Sequence, residues 1–173
     1  ACCVSAMKIG KQMQFFGARC NLPKLLLLAI NGGYDTTTRM QVGPKGNVLQ
    51  GDILDYETVM DSLKVYRKWI CRIYINTLNV IHYMHDKYAY EKTQMALHDT
   101  EVERLMACGV AGLSVLTDSL SAVKFAKVKT VRDENGYIVD FKTEGEFPKY
   151  GNDDDRADRI AVSFMREMSS ELK

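Results

Sequence analysis

Two thiols stand side by side at Cys2 and Cys3, and chain neighbours make poor disulfide partners. Consecutive α-carbons lie about 3.8 Å apart, so a ring closed between them stores strain. The pair is therefore either packing, since a free cysteine behaves as a small hydrophobe, or chemistry. A second grouping is His82, His85 and Asp86. Imidazoles three residues apart on a helix can face one way and share a metal, but no third distant ligand and no H-E-x-x-H pattern accompanies them. Tyr83 and Met84 read as core or interface, and Asp86 and Lys87 as hydrogen-bonding residues. The third is Arg19, which closes the run GKQMQFFGAR from Gly10. A guanidinium offers a planar fork to a carboxylate and keeps its charge, although an arginine alone is more readily a surface ion pair. Phe16 in the same run reads on its own as core.

These residues need a frame, and the periodicity supplies mostly helix. Asn21-Leu-Pro-Lys24 is a helix start with a capping Asn and a first-turn proline, and Asn31-Gly32-Gly33 is its stop. Residues 34–51 read as an irregular connection with one short strand. Asp55 then caps a long helix of about ten turns, whose predicted apolar stripe is Val59, Leu63, Tyr66, Ile70, Ile73, Thr77, Ile81 and Met84. Asp99 opens a further helical stretch reaching Leu105, with acid at the positive end of the dipole. The small-residue run from Ala107 to Gly112 interrupts it and permits close backbone approach. Helix resumes from Leu116 to Ala126. Two Val/Ile-bearing runs around Asp133-Glu-Asn-Gly136 predict a β-hairpin near 128–142. The tail from Asp153 to Lys173 is an amphipathic helix with Ile160, Phe164 and Met168 on one face.

Composition narrows the partners. The 173 residues carry a formal net charge of +1, so no electrostatic footprint for nucleic acid or anionic lipid emerges. No apolar run approaches the roughly 20 residues of a membrane span. No secretory signal pattern opens the chain, and Ala1 in place of Met leads us to expect a cut, processed or partly sequenced chain. The 5 cysteines, Cys2, Cys3, Cys20, Cys71 and Cys108, show no C-x-x-C spacing, which suits a reducing cytoplasm.

Several words taken together are specific: ACCVS, GKQMQFFGAR, INGG, MQVGPK, NVIHYMHDKY, MALHD, MACGVAGLSV, DSLSA and DENG. On these the chain closely resembles pyruvate formate-lyase (formate C-acetyltransferase) and its family of glycyl radical enzymes, almost from end to end. It departs at Ala6, where the family pattern has proline, and in the patch Tyr34 to Arg39. The resemblance implies an α/β fold, a segment of a ten-stranded β/α barrel. All 173 residues would form a single partial domain, mostly helical with few strands, with a cysteine loop at 1–7. It implies thiyl radical chemistry, with Cys3 relaying hydrogen and Cys2 attacking the keto carbon of pyruvate, Arg19 on the substrate carboxylate and Phe16 near its methyl group. Coenzyme A would be the acyl acceptor. The glycyl radical belongs to a loop outside this chain and would be installed by a radical S-adenosylmethionine iron-sulfur enzyme. The segment would bind no cofactor itself, would be inert alone and would belong to a cytoplasmic homodimer.

The related diol dehydratases and hydrocarbon-adding synthases carry a lone cysteine followed two positions later by glutamate. Here Val4 and Ser5 stand in that place, so acyl cleavage fits better than dehydration. A relative preferring 2-ketobutyrate shares the doubled thiol and stays open, as does a non-catalytic helical interaction module whose cysteines only pack. Gly136-Tyr137 has the look of a radical-bearing loop, but the hairpin turn accounts for that glycine.

Overall fold

The structure is a computed structural model and describes residues 7–14, 17–88, 96 and 98–173. It mixes helix with short strands, and its residues divide into two compact units. The smaller comprises residues 1–20 and 73–111, the larger residues 21–72 and 112–173. No helix among the described residues is long and apolar enough to cross a membrane.

In the larger unit, α1 (Leu22–Ile30) begins where predicted. The Asn21 side chain accepts the Lys24 amide at 3.1 Å, and Pro23 stands in the first turn. Leu22, Leu25, Leu26, Leu28, Ala29 and Ile30 are buried, as suits a helix apolar on most sides. Asn31 ends it and is itself buried. Its amide donates to the Ile138 carbonyl at 2.9 Å and accepts the Ile138 N–H at 2.8 Å, so a side chain completes a peptide-like pair. Strands β3 (Tyr34–Asp35) and β4 (Met40–Gln41) form a minimal antiparallel pair where one short strand was expected.

Helix α2 (Tyr56–Lys87) runs 32 residues, about nine turns. Asp55 caps it by accepting the Thr58 amide at 2.9 Å. The buried line is Val59, Leu63, Tyr66, Arg67, Cys71, Tyr74 and Leu78, which corrects the predicted stripe from its third turn onward. Ile73 is 40% exposed. Both lines satisfy helical spacing, and the buried one was overlooked because it contains Arg67, Cys71 and Tyr74 rather than plain aliphatics. Arg67 is buried because two carboxylates compensate its charge: it donates to Glu171 at 2.9 and 3.0 Å and to Glu167, and it lies 5.4 Å from the Phe164 ring centroid.

Helix α3 (Leu113–Phe125) starts three residues earlier than predicted and packs on α4 (Asp155–Glu171). Ile160, Phe164 and Met168 of α4 are buried as expected. The hairpin of β7 (Lys127–Arg132) and β8 (Ile138–Glu144) also stands where predicted. Asp133 organises its turn, accepting the Asn135 and Tyr137 amides at 3.0 and 2.9 Å, while Gly136 adopts φ +82°.

In the smaller unit the predicted helix at 99–105 is not formed. Glu103–Arg104 (β5) pairs parallel with Gln12–Met13 (β1). Asp99 pairs with Lys11, and Glu103 accepts from Gln12 at 2.6 Å. A seven-residue segment has little helix stability of its own, and the acids that resembled a helix start instead meet distant partners. The run Ala107–Ala111 is a strand, β6, beside β2 (Gly17–Asn21).

One pH effect follows from the larger unit. Asp35 accepts from Lys24 at 2.5 Å, from the Thr37 amide and from the Thr38 hydroxyl. The Lys24 bond above all holds its pKa down to about 2, against the cost of burial. A carboxyl depressed by folding stabilises above its unfolded pKa of about 3.9, and that stability is lost as pH falls. The wild type's resistance to chemical unfolding should therefore weaken between about pH 4 and pH 2. Asp35→Asn should be less stable at pH 7 and lack that part of the pH slope.

Candidate active site

Among the sequence-predicted site residues, the described part of the structure contains Arg19; Cys2, Cys3 and Phe16 lie outside the described residues. Alternation along β2 turns Cys20 inward and leaves Arg19 exposed. Among the described residues no carboxylate forms an ion pair with Arg19.

What positions Arg19 is a close backbone approach. A Cβ on Gly109 of β6 would fall 2.9 Å from the Ala18 carbonyl oxygen and 3.3 Å from Arg19 Cγ. Only glycine leaves room for the arginine stem to cross β6 there. On the same strand pair, a Cβ on Gly17 would lie 3.3 Å from that of Ala107. Small residues at 17, 18, 107 and 109 thus let the two backbones and the Arg19 side chain share one narrow space.

Tyr74 of α2 holds this arrangement from the other side. Its hydroxyl lies 2.5 Å from the Ala18 carbonyl oxygen and 3.0 Å from that of Gly109, so one proton serves an acceptor on each strand. Burial pushes the Tyr74 pKa up to about 12, and neighbouring Cys108 and Cys20 add to the shift. The phenol is therefore neutral and stays a donor. Burial raises the Cys20 and Cys108 pKa values as well, which keeps both as thiols near neutral pH. Cys20, Cys71 and Cys108 form no disulfide.

The arrangement provides a rigid strand that presents a guanidinium to solvent, suited to a small carboxylate. Sequence reading missed Tyr74 and the strand character of Ala107–Ala111. The usable signal was Tyr74 in step with Cys71 and Leu78, together with a glycine amid small residues. The His82 and His85 rings stand 6.4 Å apart, and among the described residues no three His, Cys, Asp or Glu side chains gather as a metal site. Asp86 pairs with Arg104, the hydrogen-bonding role expected of it.

Comparison with known proteins covers the whole chain. The family model described as PFL-like, pyruvate formate lyase-like, matches residues 1–173. The chain belongs to that family. It is 60% identical over 173 residues to the PFL-like enzyme TdcE of Escherichia coli (strain K12), an alignment that covers 100% of this chain and 23% of that protein. The chain thus spans about a quarter of the relative's length.

Tyr74→Phe removes the shared donor and should lower unfolding free energy by about 1–2 kcal/mol, read from the denaturant midpoint. Gly109→Val should cost more, because backbone and not a flexible tip meets the new side chain. In thiol labelling followed by mass mapping, Cys20 and Cys108 should react more slowly at pH 8 than an unfolded control, with reactivity rising only at higher pH.

Proposed function

We propose that this chain is the thiol-bearing segment of an enzyme that cleaves a short 2-keto acid between its carboxyl and keto carbons. The acyl group passes to coenzyme A, with 2-ketobutyrate the preferred substrate and pyruvate its smaller homologue. The observation that carries this reading is the family match over the whole chain, the Cys2-Cys3 pair included. A relative named as PFL-like, beside pyruvate formate-lyase rather than within it, favours 2-ketobutyrate over pyruvate. In the parent protein the segment would form part of a ten-stranded barrel, in a homodimer.

In this reading Arg19 takes the substrate carboxylate in a charge-assisted pair, and its exposure without a competing carboxylate suits that task. Phe16 packs against the alkyl end. A glycyl radical, placed outside this chain by a radical S-adenosylmethionine enzyme, supplies the unpaired electron. Cys2, as a thiyl, adds to the keto carbon. The bond between that carbon and the carboxyl carbon then breaks homolytically, leaving an acyl thioester on Cys2 and a formate radical. The formate radical takes a hydrogen atom from Cys3 and leaves as formate, and the Cys3 thiyl regains a hydrogen atom from the radical-storing glycine outside this chain, which takes back the unpaired electron. The thiol of coenzyme A exchanges with the thioester, releasing acyl-coenzyme A and restoring the Cys2 thiol. This divides one difficult cleavage into two covalent steps.

The intact protein, activated without oxygen, should exchange labelled formate into 2-ketobutyrate. Its kcat/KM should exceed that for pyruvate by about 10-fold to 200-fold, the range one methylene contributes. A ratio favouring pyruvate would return the assignment to formate C-acetyltransferase. Cys2→Ser and Cys3→Ser should each abolish exchange, and turnover by Cys2→Ser would refute the mechanism. Arg19→Lys should raise KM more than it lowers kcat, since a point charge replaces a fork.

A further inference from the structure

The larger unit has a groove lined by basic side chains that the proposed reaction does not use. Its volume is about 350 Å³, and its walls are Tyr56 at the start of α2, Lys124 and Phe125 at the end of α3, and Arg156 and Arg159 in the first turns of α4, over Ile160. Three cations face one space. Lys124 Nζ lies 4.9 Å from the Tyr56 ring centroid and 5.6 Å from that of Phe125, and the Arg156 guanidinium carbon lies 5.8 Å from the Phe125 ring.

The three cations differ in how firmly they are held. Asp154, the cap of α4, grips Arg156 through contacts of 3.0 and 2.7 Å, which fixes that guanidinium. Arg159 has a single 3.3 Å contact to Asp155, with both side chains more than 80% exposed, a pairing that water and salt readily displace. Lys124 has no carboxylate partner among the described residues; its ammonium rests against the two rings. One cation is pinned and two can turn to an incoming anion.

From this geometry we infer that the groove binds the phosphate ester of a compact metabolite. Lys124 and Arg159 take the phosphate oxygens, Arg156, its charge largely offset by Asp154, forms a fixed polar wall, and the carbon skeleton lies along Tyr56 and Phe125. A phosphate presents three oxygens to donors arriving from different walls, whereas a carboxylate is satisfied by one fork. The volume limits the ligand to about the size of a sugar phosphate or mononucleotide. The inference draws on none of the residues assigned to the thiol chemistry, so either assignment can fail without the other.

The test is titration calorimetry of the intact protein with ribose 5-phosphate, AMP and inorganic phosphate. Saturable binding of either ester, with a Kd below about 1 mM, is expected. Loss of one charge-assisted contact in Lys124→Ala should weaken it about tenfold or more. Asp155→Asn, which frees Arg159 from its competitor, should tighten it several-fold, a change that a purely structural role would not produce. Arg159→Gln provides a second loss variant on another wall should Lys124→Ala unfold in circular dichroism. Failure of both esters to saturate, equal affinity in the loss variants, or inorganic phosphate binding as tightly as the esters would overturn the proposal.

Discussion

The candidate site rests on how closely two backbones can approach. The carbonyl oxygen of Ala18 and Cγ of Arg19 lie 2.9 and 3.3 Å from where the first carbon of a side chain at 109 would be, so the arginine's position depends on an atom that glycine lacks. Tyr74 then makes that approach stable. Carbonyl oxygens from both strands share one buried donor, and the phenol cannot ionise at ordinary pH because charge would be buried with it. Packing and electrostatics thus act on the same few atoms. The result is a strand on which the stem of the outward Arg19 is confined beside Gly109.

The larger unit uses a different device, the partnered polar group in the interior. Asn31 substitutes for a peptide unit against Ile138, and Arg67 joins α2 to α4 through Glu167 and Glu171. Such groups add little net stability compared with apolar packing, but they penalise any arrangement that leaves them unpaired. Leucines on α1 would accept many neighbours; an amide that must meet one particular backbone N–H and C=O accepts one. Register and helix pairing here are specified by polar residues in an apolar setting.

How much of this was legible in the sequence follows the range of each interaction. Asn21-Leu-Pro, Asp55, Asp133-Glu-Asn-Gly136 and Asp154 act within four residues, and the elements they start or turn lie where the sequence placed them. The segment 99–105 carries an equally plausible local signal. Its residues pair with Gly10 to Met13, some ninety positions away, and nothing local reports that. On α2 the period was right and the face was off by one position, because Arg67, Cys71 and Tyr74 bury through partners that spacing does not reveal. Arg19 was visible as chemistry; Tyr74 and Gly109, which hold it, were visible only as packing. The adjacent thiols were legible as residues of interest from their adjacency and Phe16 through family words, while their placement lies outside the described residues.

The buried amide of Asn31 also bears on how the protein ages. Asn31-Gly32 and Asn135-Gly136 are the same dipeptide, the pairing most prone to spontaneous succinimide formation because glycine leaves the attacking nitrogen unhindered. At Asn31 both amide atoms are engaged with Ile138 inside the core, and the side chain cannot swing onto the following nitrogen. Asn135 sits exposed at the hairpin tip. Chemical damage in stored protein should therefore accumulate at the tip, as a new negative charge on a surface turn, and spare the identical pair that holds α1 to β8.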